Sequence, residues 1–246
     1  MTPSRRSAKI LVLSSRAPQL GASVAEIDWR PALSIVPRLH DMKVNLLELA
    51  RFRAVVFTSV HAVEVFVAAL RSIDKDGRAL AGLRLAAVGG ETAAALRQRL
   101  LEPDLVGDGG GAALAQALID AHWSGPVLFP RGKEGRDELP TALTAAGIAV
   151  EVVTAYDAIL DDEQLRAALA VHRELPYAAV ALGSPRIATR WLALGGPREL
   201  PCGVLGATTA EVLHAAGIEP IVAPLPSLES LVATLAQSFT AASQIE

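Results

Sequence analysis

The chain has 246 residues, a formal net charge of −3, 51% hydrophobic residues, 20% charged residues and only 4% aromatics. That balance is globular rather than disordered, and it excludes the basic footprint and stacking aromatics on which sequence-independent nucleic-acid binding rests. No apolar run approaches the ~18 residues of a membrane-spanning helix, and the length suits one large α/β domain or two lobes of ordinary size.

From the N-terminus, residues 1–9 are polar with Arg5 and Arg6, and the apolar run behind them, Ile10 to Leu13, is too short for a signal-peptide core. The segment reads as a tail before a buried strand, and the chain reads as cytoplasmic. Short β-rich apolar runs then alternate with helical patterns, the signature of βα units and a parallel sheet. Strands are predicted at Lys9–Leu13, Ala54–Phe57, Leu85–Val88, Asp104–Val106, Val127–Phe129, Ala178–Leu182, Gly203–Leu205 and Glu219–Val222. Runs this continuously apolar suit strands covered on both faces by helices. Three- and four-residue apolar spacing predicts helices over Val60–Leu70, Glu91–Leu100, Ala112–His122, Arg136–Ala146, Asp161–Val171, Pro185–Leu194, Thr208–Ala216 and Ser227–Phe239. Gly147 and Gly217 stand where helices should stop.

The chain also repeats itself. Thr92, Ala93, Leu96, Glu102 and Pro103 meet Thr209, Ala210, Leu213, Glu219 and Pro220 at a constant offset of 117, and Gly89 meets Gly206 at the same offset. Two copies of one α/β unit predict two similar lobes with a cleft between them. The extended segments Ala32–Pro37 and Glu151–Leu160 break the alternation and are not expected to lead straight into helices of their own unit. They bracket one copy of the repeat. The economical architecture is two parallel-sheet α/β lobes: a discontinuous one over 1–35 plus 158–246, and an inserted one over 38–151. Residues 32–37 and 152–159 would form a two-stranded hinge, and a monomer is the default expectation.

Several isolated signals carry little chemistry. Cys202 is the only cysteine, has no His or Cys cluster around it in sequence, and reads as a small buried hydrophobe. The histidines show no ligand spacing, so no metal is expected. Gly107-Asp-Gly109-Gly-Gly-Ala112 matches a dinucleotide fingerprint in outline, but no acidic residue ends the next strand, and the repeat equates it with Pro224-Leu-Pro-Ser-Leu-Glu229. Asp161-Asp-Glu163 opens a predicted helix, where carboxylates complement the dipole.

A set of motifs in a fixed order is more specific. They are Val55-Val-Phe-Thr-Ser59-Val-His61, Ala87-Val-Gly89-Gly-Glu-Thr92-Ala93, Arg131-Gly-Lys-Glu-Gly-Arg136, Val152-Val-Thr-Ala-Tyr156, Gly206-Ala-Thr-Thr209-Ala210 and Pro226-Ser-Leu-Glu-Ser-Leu-Val232. Together they resemble the uroporphyrinogen-III synthase family over nearly the whole chain. The resemblance implies a cofactor-free cyclising lyase of tetrapyrrole synthesis. Such an enzyme closes linear hydroxymethylbilane into uroporphyrinogen III with ring D inverted, through loss of the ring A hydroxyl to an azafulvene, attack from ring D and a spiro intermediate. Some positions depart from the family pattern. Gly183 and Arg186 replace a Thr and a Ser of the second lobe's motif, His61 stands for an Asn, the first strand ends Ser14-Ser-Arg16-Ala-Pro18, and the helix after it is short. Gly183 and Arg186 keep a non-catalytic ligand-binding module of the same architecture as the competing expectation.

A polycarboxylate substrate meeting a mildly acidic protein requires local positive charge. In parallel α/β lobes that charge lies beyond the carboxyl ends of strands, where helix N-termini present free N–H groups. Arg16, Arg131 with Gly132, Lys133 and Arg136, and Arg186 all follow predicted strands. Ser59, Thr92, Ser184 and Thr209 stand at or just inside the helices that follow, as helix caps, substrate donors or both. The substrate-binding set is therefore expected to be Arg16, Ser59, Thr92, Arg131, Gly132, Arg136, Ser184 and Thr209. Tyr156, which matches the family's tyrosine in the hinge segment, is expected to hydrogen-bond or protonate the departing ring A hydroxyl.

Overall fold

The computed structural model describes residues 9–20 and 26–242. In chain order the elements are β1 (Lys9–Ser14), β2 (Glu26–Pro31), β3 (Leu33–Pro37), α1 (Leu39–Leu47), β4 (Ala54–Phe57), α2 (Val60–Arg71), β5 (Arg84–Ala87), α3 (Gly90–Arg97), β6 (Leu105–Val106) and α4 (Gly110–Asp120). They continue with β7 (Val127–Gly132), α5 (Glu138–Ala145), β8 (Val150–Leu160), α6 (Asp162–Glu174), β9 (Ala179–Leu182), α7 (Pro185–Ala193), β10 (Cys202–Val204), α8 (Ala207–Ala215), β11 (Ile221–Val222) and α9 (Leu228–Ala242). Two compact units result: a split unit of Met1–Ser34 with Ile159–Glu246, and an inserted unit of Ile35–Ala158. The chain crosses from one to the other within β3 and again within β8.

The inserted unit is built on a sheet ordered β3-β8-β7-β4-β5-β6. Its central strand shows why a continuous apolar run was needed. All four residues of β4 are buried. Val55 and Phe57 enter a core with Phe66, Leu70 and Leu96 on one face, while Ala54 and Val56 enter a core with Leu114, Phe129 and Leu143 on the other. The split unit carries a sheet ordered β11-β10-β9-β1-β2, where Ile10 and Val12 of β1 and Ala179 and Ala181 of β9 pack under Leu231 and Leu235 of α9.

The two sheets share one plan, circularly shifted. In the inserted unit β4, β5 and β6 step outward, then the chain returns to the other side of β4 for β7 and β8. In the split unit β9, β10 and β11 step outward, and the places of β7 and β8 are taken by β1 and β2 from the other end of the chain. Registers agree, with Ala54 opposite Val127 in one and Ala179 opposite Ile10 in the other, all in parallel pairs. Gly147 and Gly217 do end helices, at φ +79° and +76°, the left-handed region where glycine lacks the Cβ clash.

Three expectations are corrected. Residues 26–31 form a strand, β2, parallel to β1; Glu26, Asp28 and Arg30 hid it, because as an edge strand it tolerates charge that an inner strand would not. Residues 39–47 form a helix, α1, with Met42 and Leu46 buried but no side-chain cap to announce it. Of the extended segments, β3 does lead straight into a helix of its own unit, α1; β8 leads into α6, a helix of the split unit, where Asp161 Oδ1 accepts the Gln164 N–H at 3.0 Å. The short helix expected after the first strand falls partly on residues 21–25, outside the described residues.

Candidate functional site

In a sheet of this order the chain leaves the central strand in opposite directions, and a crevice opens beyond the carboxyl ends at that switch point. In the inserted unit the switch lies between β4 and β7, and the chemistry-bearing residues gather there. Beyond β4, Ser59 is extended and caps α2, its Oγ accepting the Ala62 N–H at 3.1 Å. The Tyr156 hydroxyl, on β8, lies 2.9 Å from the same Oγ. The cap therefore fixes both the helix start and the phenol.

Gly132 explains how the phenol fits. The β7–β8 ladder is irregular between Arg131 and Gly132, which brings Gly132 opposite Tyr156. A Cβ at residue 132 would stand 2.9 Å from Tyr156 Cε2 and 3.2 Å from its Oη. The ring thus lies directly over glycine backbone, and the Lys133 N–H donates to the Tyr156 carbonyl at 2.9 Å. The His61 ring meets it edge-on, centroids 5.8 Å apart, with His61 Nδ1 3.2 Å from Glu64 Oε2. Tyr156 is 9% exposed. Its hydroxyl is held at the start of α2, where the helix presents its positive end. Gly132, expected among the substrate-binding residues, serves here as the seat of the phenol.

The two arginines of the β7 loop differ. Arg131 closes its own loop, one guanidinium nitrogen donating to the Gly135 and Arg136 carbonyls and pairing with Asp137 Oδ1, each at 2.8 Å. Arg136 is exposed, 3.5 Å from Glu138. Next to β4, β5 runs into Gly89, a fully extended N-cap with no side-chain cap over α3. Thr92 sits in the first turn, 4% exposed, and its hydroxyl has no hydrogen-bond partner among the described residues.

The split unit repeats much of this edge. Ser184 caps α7, accepting the Ile187 N–H at 3.3 Å, with Pro185 at the first helical position. Gly206 is an extended N-cap with no side-chain cap over α8, and Thr209, 5% exposed, sits in the first turn without a hydrogen-bond partner among the described residues. The capping expected of Thr92 and Thr209 is thus corrected: both lie inside the helix, and the caps they follow are glycines. Ser14 Oγ donates to the Arg16 carbonyl at 2.6 Å and accepts from Trp29 Nε1 at 3.0 Å, which turns the chain after β1 and leaves Arg16 on the surface. Gly183 has a packing reason, since a Cβ there would approach Ser14 Cβ to 2.9 Å and the Leu13 carbonyl to 3.1 Å. Arg186 lies half-buried on the first turn of α7.

Sequence reasoning found the members of the inserted unit's cluster but not their pairing. Nothing in the order of residues joins Ser59 to Tyr156, 97 positions apart. Among the described residues no three His, Cys, Asp or Glu side chains converge as metal ligands, and no helix is long and apolar enough to cross a membrane.

Residues 12–233 match the family model described as "Uroporphyrinogen-III synthase HemD". No curated protein matches the sequence. Among solved structures, a mutant uroporphyrinogen III synthase from the extremely thermophilic bacterium Thermus thermophilus is similar at TM-score 0.69 and 20% identity, over 98% of this chain and 100% of that one. The uroporphyrinogen-III synthetase from Helicobacter pylori is similar at TM-score 0.63 and 20% identity, over 94% and 99%. The wild-type Thermus thermophilus enzyme gives TM-score 0.54 at 20% identity, over 97% and 98%. Identities this low speak to the fold; the family model spans nine-tenths of the sequence, and the chain belongs to the uroporphyrinogen-III synthase family.

Proposed function

We propose that this cyclising lyase of tetrapyrrole biosynthesis converts hydroxymethylbilane to uroporphyrinogen III with Tyr156 as its proton donor. The observation that carries this reading is the 2.9 Å contact between Tyr156 and Ser59 at the switch point of the inserted unit. Ser59 Oγ already accepts the Ala62 N–H, so its own proton is available to the phenol oxygen. The phenol proton is then available to the ring A hydroxyl. As the carbon–oxygen bond breaks, that proton leaves with the hydroxyl as water, and the ring A nitrogen lone pair forms the azafulvenium cation, its N–H retained. The Ser59 O–H steadies the negative charge left on the phenol oxygen, which takes a proton back when the closing ring loses one to regain aromaticity. Ring D attacks through its substituted carbon, and the spiro intermediate fragments and recloses with ring D reversed. Since the azafulvene forms readily, the greater task is to hold the bilane folded.

Carboxylate capture falls to the uncapped helix starts. Gly89 and Gly206 leave the first-turn amides of α3 and α8 to a ligand, Thr92 and Thr209 add unused hydroxyls, and Arg16 and Arg136 add exposed charge. Ser59 and Ser184 combine capping with a place at the same edge, while Arg131 acts through the loop it closes. The cytoplasm and a monomeric state complete the proposal. Fresh hydroxymethylbilane separates this reading from a non-catalytic module of the same fold. Spontaneous closure yields isomer I, so isomer III above the uncatalysed background supports catalysis, and isomer I alone, with the bilane still bound, supports the module.

A further inference from the structure

The inserted unit has a second concavity, at the far end of α2. A cavity of about 480 Å³ lies beside the last turns of α2, the turn after Asp76 and the end of α3. Since α2 has 12 residues, it stands roughly 18 Å along the helix from Ser59. Its wall is apolar, from Val67, Leu70 and Leu101, and four cations rim it: Arg71, Lys75, Arg78 and Arg99. The only carboxylate in the lining is Asp76, which is held by Arg78 at 3.0 Å. The Arg71 guanidinium has no partner among the described residues. Lys75 spends one bond on the Leu46 carbonyl, and Arg99 bonds the Ala95 carbonyl and approaches Glu64 at 3.5 Å. Positive charge therefore exceeds negative around an apolar hollow of small-ligand size.

The internal repeat supplies an independent observation. Leu100 on the lip of the cavity corresponds to Gly217 at the 117-residue offset. Both turns have the same bonds: Leu100 N–H to Arg97 O and Leu101 N–H to Leu96 O, against Gly217 N–H to His214 O and Ile218 N–H to Leu213 O. Both residues are left-handed, at φ +60° for Leu100 and +76° for Gly217. The split unit uses the glycine this conformation favours, as does the turn at Gly147. The inserted unit also makes this turn with Asp74 and His122, polar residues at φ +55°, whereas at Leu100 it keeps a bulky leucine in the same conformation, 95% exposed. Arg99 likewise stands where the other copy has Ala216. Packing asks for no leucine at so exposed a position, and Arg99 keeps donors beyond its bonds to Ala95 and Glu64; a ligand with an apolar body and an anionic end uses both.

We infer that this cavity is a second ligand site, which takes a small amphipathic carboxylate with its apolar body against Val67, Leu70 and Leu100 and its carboxylate among Arg71, Lys75 and Arg99. Its test uses the full-length protein and decanoate, with decanol as the uncharged control, in titration calorimetry. The expected result is one saturable decanoate site per chain, with decanol at least tenfold weaker. Leu100→Gly should lower decanoate affinity about tenfold without lowering the melting temperature, because it restores the turn used at Gly147 and Gly217. Arg71→Glu should lower affinity to a similar extent, and neither change should alter basal turnover. Equal binding of decanol, or wild-type affinity in both variants, would overturn the inference. So would sedimentation with phosphatidylglycerol vesicles without binding of free decanoate, which would make the leucine and its cations a membrane contact.

Discussion

The two units are copies of one plan, and they differ where the chemistry is proposed. At each switch point a serine caps the helix beyond the central strand, Ser59 in one and Ser184 in the other. Beside it an extended glycine opens an uncapped helix with a buried threonine in its first turn. Only the inserted unit adds a phenol. Gly132 and the irregular register of β7 and β8 seat Tyr156 against Ser59, whereas in the split unit β2 pairs evenly with β1 and ends at Pro31. The chain's other tyrosine, Tyr177, donates instead to Asp28 at 2.5 Å within the split unit. What is duplicated suits anion capture, a demand each copy meets with backbone amides. What is single suits proton transfer, which needs one donor.

That contrast can be broken most severely at Gly132. Gly132→Ala places a methyl inside contact distance of the phenol ring; it should reduce isomer III formation by about 10²-fold or more, while calorimetry reads a stability loss of about 1–3 kcal/mol from overpacking. A variant with normal isomer III output would detach the phenol's seat from catalysis. The two caps give a sharper comparison. Ser59→Ala and Ser184→Ala should each lower stability by about 1 kcal/mol, but only Ser59→Ala should also lower kcat, because only Ser59 touches the phenol. Equal kinetic effects would make the caps interchangeable and the contrast empty.

Smaller effects are expected at the threonines. Thr92→Val and Thr209→Val remove hydroxyls that bond to no described residue, so thermal melts should stay near wild type while product affinity falls about two- to tenfold in each. Early melting with normal affinity would restore a structural role. The smallest effect is alkaline. Burial and the hydrogen bond to Asp28 push Tyr177 up to about 12, and burial pushes the Cys202 thiol up to about 11. Both groups hold their protons more tightly folded than unfolded, so the stability they contribute is whole below pH 9 and drains as pH rises through 9 to 12. Denaturant titrations across that window should show Tyr177→Phe flattening its upper part and Cys202→Ala its lower part; unchanged slopes would contradict the assignment.

How much of this was legible in sequence follows the physics of each element. Ala54–Phe57 announced itself because a strand covered on both faces must be apolar throughout. Glu26–Pro31 did not, since an edge strand accepts Asp28 and Arg30. The repeat located Thr92 and Thr209 at helix starts, but only the backbone revealed that glycines cap those helices. Ser59 was singled out by its place at a helix start, and Tyr156 by the family resemblance and its place in the hinge segment. Their meeting depends on the register shift between β7 and β8 that brings Gly132 opposite Tyr156, and no local pattern encodes that. Gly132 entered the expected substrate-binding set with the Arg131–Arg136 motif, and its place under the Tyr156 ring was hidden because that ring comes from the next strand.

The central claim is that the phenol at the inserted unit's switch point, which the split unit's switch point lacks, assists departure of the ring A hydroxyl. Steady-state kinetics of isomer III formation by Tyr156→Phe test it most directly, since the ring stays packed over Gly132 and only the hydroxyl is lost. Assistance felt mainly in the transition state should appear as a kcat lowered roughly 10- to 100-fold with KM changed less than about twofold. Wild-type kcat in Tyr156→Phe would contradict the claim and leave the duplicated edges, as a template for folding the bilane, with the whole of catalysis.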